Sequence, residues 1–173
     1  MSEVEIPHAH EVDAFGKRVG VVVAVIGVLL SVVTIASHRQ HTAAVVYRTE
    51  ANDQWAYYQA KKIREYQASV GGTVVTALGT DAGKVAAGLK ELDAQRTKYE
   101  HDAADIQKQA EEKDAETKRS EMRALRLDLG EGFLELGLVL TSLYFLARKK
   151  LFPAVGAICA VLGAGMAAAS LFL

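Results

Sequence analysis

The sequence predicts an all-α membrane protein with three transmembrane helices and a long extramembrane helical hairpin resembling a coiled-coil stalk. Three observations predict it. Half of the 173 residues are apolar and 24% are charged, yet the two kinds fall in separate blocks. Two runs, Val19–Ser37 and Leu151–Leu173, contain no charged residue, and a third, Gly132–Ala147, contains only Glu135. Between residues 8 and 152 there is no proline, so nothing forbids very long helices.

The chain opens with a polar tail, residues 1–18. His8, His10, Glu11 and Asp13 in it form a weakly selective candidate for a metal ion, although no metal or cofactor is expected. Residues 19–37 then form the first span. Nineteen residues at about 1.5 Å each cover about 28 Å, close to the thickness of the bilayer's hydrocarbon. A cleaved signal peptide is the competing reading. Its apolar region would be unusually long, and the tail before it carries Glu3, Glu5, Glu11 and Asp13. His38 and His41 mark the membrane boundary.

Residues 38–129 are polar but lack the proline and glycine density of a disordered linker. Gly71, Gly72, Gly79 and Gly83 predict a loop near 70–83, with Asp81 capping the helix that follows. Before that loop, Ala44, Tyr47, Ala51, Trp55, Tyr58 and Lys62 recur at three- and four-residue spacing on one helical face. After it, Val85, Leu89, Leu92, Arg96, Tyr99, Ala103, Ile106 and Ala110 keep an alternating four–three spacing, and the register continues through Leu127. The apolar end of this seam predicts the tightest packing near the loop. Lys108–Glu112 and Asp114–Lys118 are expected to pair one turn apart on a solvated face.

Residues 130–147 form the second span and 151–173 the third, joined by the basic turn 148–150, Arg-Lys-Lys. Lys17–Arg18 and Arg148–Lys150 then share one side, and short basic flanks mark the cytoplasm. The middle region is accordingly expected to be periplasmic, although Arg123 and Arg126 lie close to the second span on the other side.

Three groups of residues are candidates for function. Asp128, Glu131 and Glu135 lie three and four apart on the helix entering the second span, and Ser142 extends that face. A carboxylate within hydrocarbon costs about 2.5 kcal/mol or more, so it should face protein, water or a cation. An ion or proton path and a simple structural pairing both fit, with Glu135 the deepest of the three. In the third span, Gly156, Ala160, Ala164 and Ala168 recur every four residues, with Gly163 and Ala167 beside them. Such small faces allow close helix contact, within one chain or between copies.

Trp55, Tyr58, Gln59, Lys61, Lys62 and Arg64 form an aromatic and basic cluster. Trp55 lies about 27 Å along the helix from the end of the first span, too far for a membrane-interface aromatic. Packing against the returning helix and a surface for a partner are the two readings. No nucleic-acid module surrounds it.

The segment Ala51–Glu65, ANDQWAYYQAKKIRE, and the ending from Leu125, LRLDLGEGFLELGLVLTSLYFLARKKLF, resemble the bacterial membrane family DUF4337. Trp55, Tyr58, Gln59 and Lys61 carry the most specific part. The resemblance implies this architecture and the bacterial inner membrane. It implies no catalytic residues, because the family has no assigned function.

No phosphate loop, HExxH helix or nucleophile elbow occurs, and no Ser, His and Asp spacing suggests a triad. Cys159 is the only cysteine, so no intrachain disulfide forms. No enzyme is expected. The leading expectation is a scaffold in membrane lipid that self-associates as a homo-oligomer and accompanies another membrane complex. The alternative is an ion- or proton-conducting oligomer using the carboxylates. A sensor whose hairpin transmits a signal to the cytoplasmic turn is a weaker third reading, since no recognisable output domain supports it.

Overall fold

The computed structural model describes residues 14–172, so the proposed metal-binding tail at His8, His10, Glu11 and Asp13 lies outside the described residues. Within them every regular element is helical: α1 (Ala14–Leu78), α2 (Ala82–Ser142), α3 (Tyr144–Ala147), α4 (Leu151–Ala169) and a closing 3-10 turn, Ser170–Phe172. Three helical stretches are long and apolar enough to cross a membrane: Ala14–Leu78, Ala82–Ala147 and Leu151–Phe172.

Burial along α1 and α2 follows a seven-residue repeat. Val19, Ile26 and Val33 are buried seven apart, as are Ser37, Ala44 and Ala51. On α2 the same holds for Ala103, Ala110, Thr117 and Ala124, and for Ser120, Leu127, Leu134 and Thr141. This period keeps one narrow seam inward along a supercoiled helix.

The chain divides into two compact units, one drawn from Met1–Gln40 and Met122–Leu173, the other comprising His41–Glu121. In the second unit, α1 and α2 meet in opposite senses. Gly71 lies against Leu92, Lys61 against Asp102, Trp55 against Asp114 and Arg48 against Glu121.

The helical break in this unit is shorter than the expected loop. Helix α1 continues through Gly71 and Gly72, which face the Leu92 and Leu89 side chains, and ends only at Leu78. Glycine weakens a helix by about 1 kcal/mol, which neighbouring contacts override. The non-helical residues are 79–81. A Cβ on Gly79 would lie 2.6 Å from the Val75 carbonyl oxygen and collide with Val85, so only glycine fits. Asp81 caps α2 as expected: its Oδ1 accepts the backbone N–H of Gly83 at 2.9 Å and of Lys84 at 3.1 Å.

Two seam expectations need correction. Lys62 is exposed and Lys61 takes the inward position. Tightest burial falls at Ala103–Leu127 and not beside the loop, where Val85, Leu89 and Leu92 are only half-buried. The buried positions there are mostly small (Ala103, Ala110, Thr117, Ser120 and Ala124), whereas Leu89 and Leu92 lie against Gly72 and Gly71.

In the first unit, Ile26, Val33, Leu127, Leu134 and Ala160 form the core. Helix α2 stops at Ser142, one turn before the expected end of the second span, and α3 resumes it after Leu143. Arg148 closes α3 in the left-handed region (φ 54°), with its N–H on the Tyr144 carbonyl at 2.8 Å. Pro153 sits in the first turn of α4, where no helical acceptor awaits its missing N–H. Phe15 of α1 packs edge-on to Tyr144, with ring centres 5.1 Å apart, and Lys150 lies over the Phe15 ring at 5.2 Å.

Helices α2 and α4 approach backbone to backbone. A Cβ on Gly163 would lie 2.6 Å from the Gly130 carbonyl oxygen and 2.9 Å from the Leu134 nitrogen. One on Gly156 would lie 2.7 Å from the Gly137 oxygen. Gly165, by contrast, has nothing within 4 Å. Gly163→Ala should therefore lower stability by about 1–3 kcal/mol, whereas Gly165→Ala should change it by less than about 1 kcal/mol. Thermal unfolding of the detergent-solubilised variants measures the contrast.

Candidate functional site

The three carboxylates of α2 have different surroundings, all within the unit drawn from Met1–Gln40 and Met122–Leu173. Ser37 of α1 donates its hydroxyl to Asp128. One turn along, Thr34 donates to Glu131 Oε1 at 2.6 Å. The hydroxyls are three residues apart on one helix and the carboxylates three apart on the other, so antiparallel packing brings each pair together. Glu135 is exposed, and among the described residues its carboxylate has no hydrogen bond or ion pair. Ser142 is also exposed and turns its hydroxyl back to the Val139 carbonyl at 2.8 Å. The face does not converge on one site: two acids are held by α1 and the third is left on the surface.

Sequence reasoning missed Ser37 and Thr34. Their three-residue spacing, matching that of Asp128 and Glu131, was the available signal.

The small face of α4 is largely consumed within the chain. Gly156 and Gly163 are buried against α2. Ala160 belongs to the core and Ala167 packs against it. Ala164 is half-buried and Ala168 is exposed. Gly130, Gly137 and Thr141 form the complementary surface on α2. The Thr141 hydroxyl is satisfied by the Gly137 carbonyl at 2.7 Å, so no polar group is stranded there.

The aromatic and basic cluster lies in the unit His41–Glu121 and divides into packed and exposed members. Trp55 donates its indole N–H to Asp114 Oδ2 at 2.9 Å and stacks edge-on with Tyr58, ring centres 5.6 Å apart. Asp114 thus serves Trp55, and neither expected one-turn pair, Lys108–Glu112 or Asp114–Lys118, forms among the described residues. Lys113 instead bridges Glu50 at 3.0 Å and Glu116 at 2.9 Å. Both carboxylates, Glu116 first, raise the Lys113 pKa above the ordinary lysine value.

Lys61 donates to Asp102 at 2.7 Å, with side chains only 14% and 30% exposed. Its ammonium lies 5.4 Å from the centre of the Tyr57 ring and 5.7 Å from that of Tyr99. Arg64 reaches over Tyr99 at 6.0 Å. Lys62 pairs on its own helix with Glu65 at 2.5 Å, and Gln59 is exposed. No group of three or more His, Cys, Asp or Glu side chains that could hold a metal ion occurs among the described residues.

The hydrogen bond between Lys61 and Asp102 raises the lysine pKa and lowers that of the aspartate. Stability from the raised lysine is fully present below its ordinary pKa of 10.5 and is lost as pH climbs through the folded value. Stability from the depressed aspartate is present above its ordinary pKa of 3.8 and is lost as pH falls through the folded value. Asp102→Asn should therefore flatten the acid limb of the stability profile below about pH 4, and Lys61→Met the alkaline limb above about pH 10. Chemical denaturation across pH measures both.

Residues 15–173 match the family described as Domain of unknown function (DUF4337). No curated protein and no solved structure matches the chain. The expected family is thus shown over nearly the whole chain, and the protein belongs to the DUF4337 family.

Proposed function

We propose that this chain spans a bacterial inner membrane three times and serves as a structural, self-associating protein without catalytic activity. In this reading it accompanies another membrane complex.

The spanning reading rests on where the first unit keeps its polar groups. Val21, Val25, Val28, Val32 and Ile35 of α1 are exposed, as are Leu136 and Val139 of α2 and Ile158, Val161 and Leu162 of α4. Ser37, Thr141 and Ser170 are buried. An apolar exterior around hydroxyl-bearing contacts suits lipid better than water. The basic turn 148–150 then lies in the cytoplasm with Lys17 and Arg18, and His41–Glu121 is a periplasmic helical hairpin. The chain should resist alkaline carbonate extraction. Thr80→Cys in a Cys159→Ser background should react with an impermeant maleimide added from the periplasmic side. Release by carbonate overturns the spans, and labelling only after lysis reverses the orientation.

The self-association reading is carried by Glu135. It stands nine residues beyond Arg126, about 13.5 Å along the helix, and about 20 Å before the basic turn. At that depth an exposed carboxylate costs about 2.5–3.5 kcal/mol against lipid. Gly132, one turn earlier, has nothing within 4 Å of a would-be Cβ, which leaves room for a second helix to approach. A second copy of the chain presenting the same face removes Glu135 from lipid. In mild detergent the wild type should run as an oligomer. Glu135→Lys should shift it to monomer, while Asp53→Lys, on the exposed surface of the other unit, should not. A monomeric wild type without a co-purifying membrane protein overturns the scaffold.

The same exposed carboxylate supports the competing reading, an ion or proton path at the interface between copies. Liposome flux lost in Glu135→Gln, with the oligomer intact, would favour conduction over the scaffold.

A further inference from the structure

The unit drawn from Met1–Gln40 and Met122–Leu173 contains a cavity of about 400 Å³ that neither the carboxylates nor the glycine contact uses. Val33, Ala36 and Gln40 line it from α1, Arg123 and Leu127 from α2, and Ala168 from α4. Its lining is mostly apolar, with Arg123 the one charged side chain. The Nε of Arg123 is buried and has no hydrogen-bond partner. Arg126, one turn along, is different: it donates Nη1 to the Ala169 carbonyl at 3.2 Å and so serves the end of α4. Arg123 is half-buried where it lines the cavity, and a planar guanidinium matches phosphate oxygens better than any other side chain does.

The cavity is apolar along most of its length and polar at one end, as an amphiphile is. Its lining on α1 runs from Val32 to Gln40, about 12 Å along the helix. Arg123 and Gln40 supply polar groups, while Val33, Ala36 and Leu127 supply an apolar wall. A free phosphate would satisfy the guanidinium but leave that wall bare. We propose that this cavity binds one anionic phospholipid, its phosphate accepting from Arg123 and an acyl chain lying along Val33, Ala36 and Leu127. A guanidinium and a phosphate pair through short charge-assisted hydrogen bonds, which an apolar surrounding strengthens. The site rests on the membrane-spanning reading above.

The test uses the full chain in mild detergent, with binding followed by native mass spectrometry. Phosphatidylglycerol should bind at least tenfold more tightly than phosphatidylcholine of the same acyl chains, and millimolar inorganic phosphate should not displace it. Arg123→Gln should reduce phosphatidylglycerol to the phosphatidylcholine level, whereas Arg148→Gln should retain the preference. Ala168→Phe, which fills the cavity and leaves the arginine in place, should weaken both lipids and decides the matter if Arg123→Gln does not fold. Equal binding of the two lipids, an unchanged Arg123→Gln, or full displacement by inorganic phosphate overturns the lipid site. A chain washed from membranes by carbonate overturns both readings, while one retained in membranes without lipid preference overturns only this one.

Discussion

Gly130 and Gly137 of α2 and Gly156 and Gly163 of α4 hold the two helices so close that carbonyl oxygens of each lie where the other's Cβ atoms would be. Much else in that unit follows from this approach. Leu134 is fully buried because the helices meet around it, and Thr141 can be buried because its hydroxyl bonds within its own helix. Burying apolar area cannot drive association where the surroundings are equally apolar. Dispersion between closely fitted backbones then becomes the main attraction, and it falls off within a fraction of an ångström.

The contacts between α1 and α2 are held differently. Their seven-residue repeat specifies a seam but not which turn of one helix faces which turn of the other, since alanines and serines recur along it. Polar pairs supply that information. Ser37 with Asp128 and Thr34 with Glu131 fix the register in one unit. Trp55 with Asp114 and Lys61 with Asp102 fix it in the other. Sliding either pairing by one heptad would leave an indole N–H or a carboxylate unpaired, at about 1–3 kcal/mol for each buried group. A single polar pair at a seam position has the same effect in coiled coils.

The helices were legible in the sequence because their signals are additive over many residues. Charge-free runs, the absence of proline and the four–three spacing of Val85–Leu127 each survive a few contrary residues. The cap at Asp81 was legible because capping is local. Gly71 and Gly72 misled because glycine lowers helix propensity without abolishing it, and a contact from Leu92 or Leu89 is enough to offset that. Lys61 was misplaced outside the seam because long lysine stems bury readily when the ammonium finds an acceptor, here Asp102. The site was less legible because it depends on pairs distant in the chain. Ser37 and Asp128 are 91 residues apart, and the matching three-residue spacing of Ser37 with Thr34 and Asp128 with Glu131 gains meaning only once the two helices are known to run antiparallel.

Glu131 and Glu135 show how much one turn of helix decides. They have the same side chain on the same helix, yet one accepts from Thr34 and the other is exposed. In water the difference would be slight, because solvent would serve both. In lipid an exposed carboxylate must take up a proton, draw water inward or find a neighbouring chain. Protonation alone leaves a hydroxyl donor and a carbonyl acceptor facing hydrocarbon, so the deficit shrinks without vanishing. A second chain meets both needs if it brings its own carboxyl, because two neutral carboxyls can each donate to the other. Such a contact tolerates glutamine, which also donates and accepts, and rejects lysine, which only donates.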